Sequence, residues 1–156
     1  MRARSPAGIA GQSFLQRTAE TPKIPELRQL DPKTAPDQVA MVEIDSFTAL
    51  SGAAQANVIE FHTWNATTRD MTRPDRMIFD LDPGEGVSWQ SIQEGTELMR
   101  ALLDELGLAS YLKTSGGKGL HVVVPIAAKE GWDAVKAFAK AGGAPLAAGI
   151  PDRLVA

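Results

Sequence analysis

The stretch Met77-Ile78-Phe79-Asp80-Leu81-Asp82-Pro83-Gly84-Glu85-Gly86 constrains this chain more than any other. A nearly unbroken apolar run closing on two carboxylates reads as a strand over 76–82. Residues i and i+2 of a strand share a face, so Asp80 and Asp82 project together and Leu81 points the other way. Pro83-Gly84-Glu85-Gly86 must then turn, because proline fixes one dihedral and the glycines permit the rest.

Beyond the turn, Ser88 is a good N-cap for a helix. Its inward face is predicted from Ile92, Met99, Leu102, Leu103 and Leu106, with Gly95 allowing close packing and Gly107 as the stop. The segments 109–114 and 120–125 read as two strands joined by Ser115-Gly116-Gly117-Lys118-Gly119. Trp132 to Ala141 reads as an amphipathic helix with Val135 and Phe138 inward, ended by Gly142-Gly143.

Upstream, prolines and glycines punctuate residues 1–38 too often for a long helix or a central strand, and only Gln12–Arg17 reads as a strand or turn. A strand over 39–44 follows. Asp45 or Ser46 then caps a short helix through Phe47, Leu50 and Ala54, and Asn57 ends it. A second strand, 58–62, carries Glu60 and His62 on one face and Ile59 and Phe61 on the other.

The predicted class is α+β: a mixed or antiparallel sheet with flanking helices in one domain over 1–156. Within it, 1–38 is irregular and 39–156 forms an α/β core. The long irregular start and the abrupt apolar end at Ala156 read as a domain incomplete at both ends.

Two carboxylates as close as Asp80 and Asp82 repel unless a cation lies between them. A hard divalent ion, Mg²⁺ or Mn²⁺, suits their oxygen ligands. The alternative is a solvated strand end with Asp82 capping the turn. The loop Ser115–Gly119 offers backbone N–H groups unobstructed by side chains, a concavity suited to anions. Lys118 adds a charge, Ser115 a hydroxyl, and His121 leaves on the next strand. This is not a Walker A loop, because Gly119 follows Lys118 and no helix follows. Its plain alternative is a long hairpin turn with a surface lysine. His62 reads as structural or as a residue at a strand end where sites collect, and Phe14 and Leu15 read as core before contact.

Composition limits the rest. At 44% hydrophobic and 22% charged residues the chain is ordinary for a globular protein. No apolar run is long enough for a membrane span. The absence of cysteine excludes disulfides and thiolate metal sites and fits the cytoplasm. A net charge of −3 argues mildly against coating nucleic acid. However, Arg2, Arg4, Arg17, Lys23 and Arg28 make the first 28 residues basic against Glu20 and Glu26.

At these residues the sequence resembles the polymerase domain of bacterial ligase D, of the archaeo-eukaryotic primase superfamily. Phe79–Gly86 is similar to the family's first motif and Thr114–His121 to its second, in order and at fitting spacing. Gly11–Arg17 and Glu60-Phe61-His62-Thr63-Trp64 are similar to further family segments.

The resemblance implies that Asp80 and Asp82 ligate catalytic Mg²⁺ or Mn²⁺. It implies that Ser115, Lys118 and His121, with the amides of Gly116, Gly117 and Gly119, contact a nucleoside triphosphate, and that His62 lies nearby. The family's two adjacent aromatics that stack near the template base correspond to Phe14-Leu15, with leucine in place of the second. The third metal-binding aspartate of the family is expected on a strand beyond Ala156, and the basic N-terminal segment of the family is expected to be shortened here.

The implied function is templated addition of nucleotides to a DNA 3′ end in non-homologous end joining, as part of an ATP-dependent ligase D. The implied partners are DNA ends, ligase and nuclease domains of the same polypeptide, and the end-binding protein Ku, with no membrane. Two other readings stand beside it. A truncated module would bind nucleotide or DNA without turnover. A haloacid-dehalogenase-type phosphatase would use Asp80 as nucleophile, but Pro83-Gly84 stands where that family has Gly-Thr, and the glycine loop goes unexplained.

Overall fold

Short strands pair across long stretches of sequence in the first part of the chain. In the computed structural model, β1 (Arg2–Arg4) lies antiparallel between β2 (Phe14–Gln16) and β5 (Val58–Phe61). β3 (Arg28–Gln29) pairs with β4 (Val42–Glu43), and the Arg28 guanidinium forms ion pairs with Glu43 and Asp45. The structure describes residues 2–5, 8, 10–12, 14–16, 24, 27–31, 34, 41–149 and 154–155. They fall into two compact units, Met1–Trp64 and Asn65–Ala156.

In the first unit the expected helix is α1 (Phe47–Gln55). Ser46 caps it, in extended conformation, with its hydroxyl accepting from Ala49 N at 3.1 Å. Asn57 follows at φ 60°, a left-handed turn that asparagine tolerates. The buried face differs from the expected one. Ala49 and Ala53, four residues apart, are fully buried, whereas Phe47 is 83% exposed and Leu50 and Ala54 also face out. Small side chains let α1 approach β5 closely, and Ala53 joins Ile24 and Val58 in the unit's apolar cluster. Of the strand expected at 39–44 only Val42–Glu43 is observed as such, and 39–40 lie outside the described residues.

The second unit carries the antiparallel sheet β7-β8-β6-β9, formed by β6 (Arg76–Pro83), β7 (Tyr111–Thr114), β8 (Leu120–Pro125) and β9 (Leu154–Val155). α2 (Trp89–Glu105) is capped by Ser88, whose hydroxyl accepts from Ser91 N at 3.1 Å. It buries Ile92, Gly95, Thr96, Met99 and Leu103. Gly107, at φ 71°, follows its end. Leu106, expected inward, sits at the C-cap and is half exposed.

α3 runs Trp132–Gly149 and passes through Gly142-Gly143, the end expected from sequence. A glycine in a helix interior costs only about 1 kcal/mol relative to alanine, too little to stop a helix with strong formers on both sides. Val135 and Ala139, one turn apart, pack on the core, while Phe138 faces out. That core is Met77, Leu81, Met99, Leu103, Val122 and Val124, so α2 and α3 cover one face of the sheet. The sheets are antiparallel throughout and the fold is α+β, as the sequence predicts.

The chain entering β6 is held by polar contacts. Asp70 accepts from Thr72 N at 2.9 Å and Thr72 Oγ1 at 2.6 Å, and these bonds hold its carboxyl below the usual range. Trp132 Nε1 donates to Met71 O at 2.9 Å, tying this turn to α3.

Candidate functional site

Register decides what the open face of the second unit displays. β6 and β8 pair Met77 with Val124, Phe79 with Val122, Asp80 with His121 and Leu81 with Leu120. Directly opposite residues share a face. The helix-covered face therefore takes Met77, Phe79, Leu81, Leu120, Val122 and Val124. The other face takes Ile78, Asp80, Asp82, His121 and Val123. β7 extends both rows, pairing Tyr111 with Val123 and Lys113 with His121. The result is a polar row, Asp80–His121–Lys113, beside an apolar row, Ile78–Val123–Tyr111. Asp82 lies one step beyond the polar row.

Within the polar row, His121 Nε2 is 3.1 Å from Asp80 Oδ1. At that distance an Nε2–H can donate to the carboxylate oxygen. The other ring nitrogen, Nδ1, is buried and has no hydrogen-bond partner. Asp80 and Asp82 are exposed while Leu81 between them is 5% exposed, the alternation expected of a half-buried strand end.

The loop Ser115–Gly119 is shaped by its own serine. Ser115 Oγ donates to Gly119 O at 3.1 Å and accepts from Gly117 N at 3.2 Å. Gly116 has φ +80°, a conformation that favours glycine. Gly119 is buried against Asp82, and a Cβ there would lie 2.9 Å from Leu81 O and 3.3 Å from Asp82 Cγ. Lys118 is exposed at the loop.

Asp80, Asp82, Ser115, Gly116, Gly117, Lys118, Gly119 and His121 thus gather on the second unit, at one end of the β6–β8 pair and its loop. His62 belongs to the first unit, where its Nε2 lies 3.3 Å from Glu60 Oε1 on the shared face that the sequence predicts. Phe14 and Leu15 are in β2, also in the first unit, with side chains outside the described residues. Lys113 and Tyr111 were not singled out from sequence. No alternation marks Tyr111–Thr114, whose four residues are all exposed, and only the strand register places Lys113 opposite His121.

The donor set fits a hard divalent cation. Two adjacent, exposed carboxylates match Mg²⁺, which takes one or two protein carboxylates together with substrate phosphates and waters. Among the described residues no group of three or more His, Cys, Asp or Glu side chains is arranged to hold a metal.

A family model described as "LigD, primase-polymerase domain" matches residues 1–156, and the chain belongs to that family. It is 48% identical over 153 residues to the multifunctional non-homologous end joining protein LigD of Pseudomonas aeruginosa, covering 98% of this chain and 18% of that protein. The corresponding protein of Mycolicibacterium smegmatis is 34% identical over 130 residues, 81% of this chain and 17% of that one. Among solved structures, the polymerase domain of Mycobacterium tuberculosis ligase D in complex with DNA aligns with a TM-score of 0.74 at 27% identity, covering 96% of this chain and 55% of that one. This chain therefore spans less than a fifth of the length of these LigD relatives.

Proposed function

We propose that this chain supplies the metal- and triphosphate-binding face of a templated nucleotidyl transferase acting on DNA ends in non-homologous end joining. The observation that carries the reading is the cross-strand pairing of Asp80 with His121, which brings the acidic strand end and the glycine loop onto one face. Family membership and the DNA-bound relative support the same reaction class.

In this reaction a primer 3′-hydroxyl attacks the α-phosphorus of a nucleoside triphosphate. A P–O bond forms to the 3′ oxygen, the bond to the bridging oxygen breaks, pyrophosphate leaves, and the hydroxyl proton is released. Asp80 and Asp82 would hold Mg²⁺ or Mn²⁺, which when bound lowers the hydroxyl's pKa and offsets charge on the phosphates. The loop amides other than that of Gly117, which donates to Ser115 Oγ, would receive non-bridging phosphate oxygens. Lys118 at the loop, and Lys113 across from His121, would add positive charge beside them. His121 presents Nε2–H, which now lies on Asp80, as a donor to a phosphate oxygen. DNA ends are the proposed partner, with ligase and nuclease domains and Ku as proposed associates in a cytoplasmic repair complex.

A second reading has one observation in its favour: among the described residues no group of three or more His, Cys, Asp or Glu side chains is arranged to hold a metal. On that reading the chain binds metal and nucleotide without turnover. Primer extension on a DNA duplex with a 5′ overhang separates the two. Templated incorporation that Asp80→Ala and Asp82→Ala abolish supports transfer. Incorporation unaffected by both substitutions contradicts the site. A wild-type chain that binds nucleotide but adds none supports the binding module.

A further inference from the structure

Two glycines of the loop, Gly116 and Gly119, are required for different physical reasons, and one of them bears on Asp82. Gly116 needs its positive φ, and nothing lies within 4 Å of a Cβ built there. At Gly117 an added Cβ would meet only Ser115 Oγ at 3.6 Å, an ordinary contact. Gly119 has no positive φ, and it lacks room: a Cβ would collide with Asp82 Oδ1 and crowd Asp82 Cγ at 3.3 Å and Leu81 O at 2.9 Å. The carboxylate of Asp82 occupies the space a side chain at 119 would take. Gly119 is also the residue whose carbonyl accepts from Ser115 Oγ, the bond that closes the loop.

We infer that Gly119 is a positioning residue for Asp82, so that the seat of the glycine loop and the placement of a cation-facing carboxylate are fixed by one contact. Any side chain at 119 must push Asp82 off its rotamer or lift the loop from β6, and either movement changes the distance between carboxylate and loop amides. Its consequence for metal binding rests on the function proposed above; the contact itself does not.

Two measurements on the full chain test it. The first is a double-mutant cycle read by thermal unfolding, with Gly119→Ala, Asp82→Ala and the pair. The expected result is that Gly119→Ala lowers Tm less when Asp82 is already alanine. Equal drops in the two backgrounds overturn the inference. So does a Gly119→Ala chain that fails to fold and is not recovered by Asp82→Ala, since the carbonyl of Leu81 would then set the requirement.

The second is Mn²⁺ binding followed by the electron paramagnetic resonance signal of the free ion, with Gly131→Ala as control because nothing lies within 4 Å of a Cβ there. Gly119→Ala is expected to weaken Mn²⁺ about tenfold or more, the usual effect of disturbing what orients a metal ligand, and Gly131→Ala to leave it unchanged. Wild-type affinity in Gly119→Ala overturns the inference. If Asp82→Ala binds Mn²⁺ as the wild type does, the metal assignment fails instead, while a non-additive Tm cycle still establishes the contact.

Discussion

His121 Nε2 lies 3.1 Å from Asp80 Oδ1 across the β6–β8 pair, and its Nδ1 is buried without a hydrogen-bond partner. The imidazole thus reaches, through Nε2, the carboxylate that would face a cation. Replacing it with alanine removes the β8 side chain that reaches Asp80. A hydrogen bond to a charged group contributes about 1.5–3 kcal/mol, so His121→Ala should weaken triphosphate binding roughly 10- to 100-fold. Calorimetric titration of nucleoside triphosphate at fixed MnCl₂ measures this, and an unchanged affinity would remove His121 from the phosphate site.

Asp75, just before β6, receives Arg76 Nε at 2.7 Å and a second guanidinium nitrogen at 3.0 Å. These hydrogen bonds, with the arginine's charge, hold its carboxyl below the ordinary range. A carboxyl whose folded pKa is lowered contributes stability above its unfolded pKa of about 4 and loses it as pH falls through the folded value. The Tm difference between wild type and Asp75→Asn should be constant from pH 7 to about 5 and close as pH drops below about 4. A difference that persists undiminished at pH 2.5 would mean the ion pair is not its source.

Ser88 satisfies the first turn of α2, the helix that supplies Met99 and Leu103 to the core beneath the site. Ser88→Ala should cost about 1 kcal/mol. Urea unfolding should show a lower midpoint with an unchanged slope, and an unshifted midpoint would argue that water replaces the cap.

On α1, burial runs opposite to side-chain size. Ala53 is fully buried, whereas Phe47 is 83% exposed. Ala53→Leu should destabilise by about 1–3 kcal/mol through overpacking. Phe47→Ser should change stability by less than about 0.5 kcal/mol. Denaturant titration of both variants checks the contrast, and the reverse order would mean that α1 buries its large residues.

The second unit was the more legible from sequence because its signals are local and strong. The apolar run of β6, the capped and periodic α2, and the strands on either side of the glycine loop each declare themselves within a few residues. The Asp80/Asp82 face, the Leu81 alternation and the α+β class all follow from that patterning. What was lost lay in longer-range or weaker information. β1 is three residues long and takes its partner β5 from more than fifty residues away, so no local period marks it. The buried stripe of α1 is made of alanines, which carry little hydrophobic signal. Gly142-Gly143 resembles a stop but falls inside α3. Lys113 entered the polar row only through strand register, which sequence alone leaves open until the hairpin pairing is fixed.

If Asp80 and Asp82 form a cation site facing the glycine loop, nucleoside triphosphate should bind the 156-residue chain only with Mn²⁺ present. Calorimetry with wild type, Asp80→Ala and Asp82→Ala should show binding that requires Mn²⁺ and weakens about tenfold or more in each variant. Binding that is equal in all three proteins, or indifferent to the metal, would contradict it.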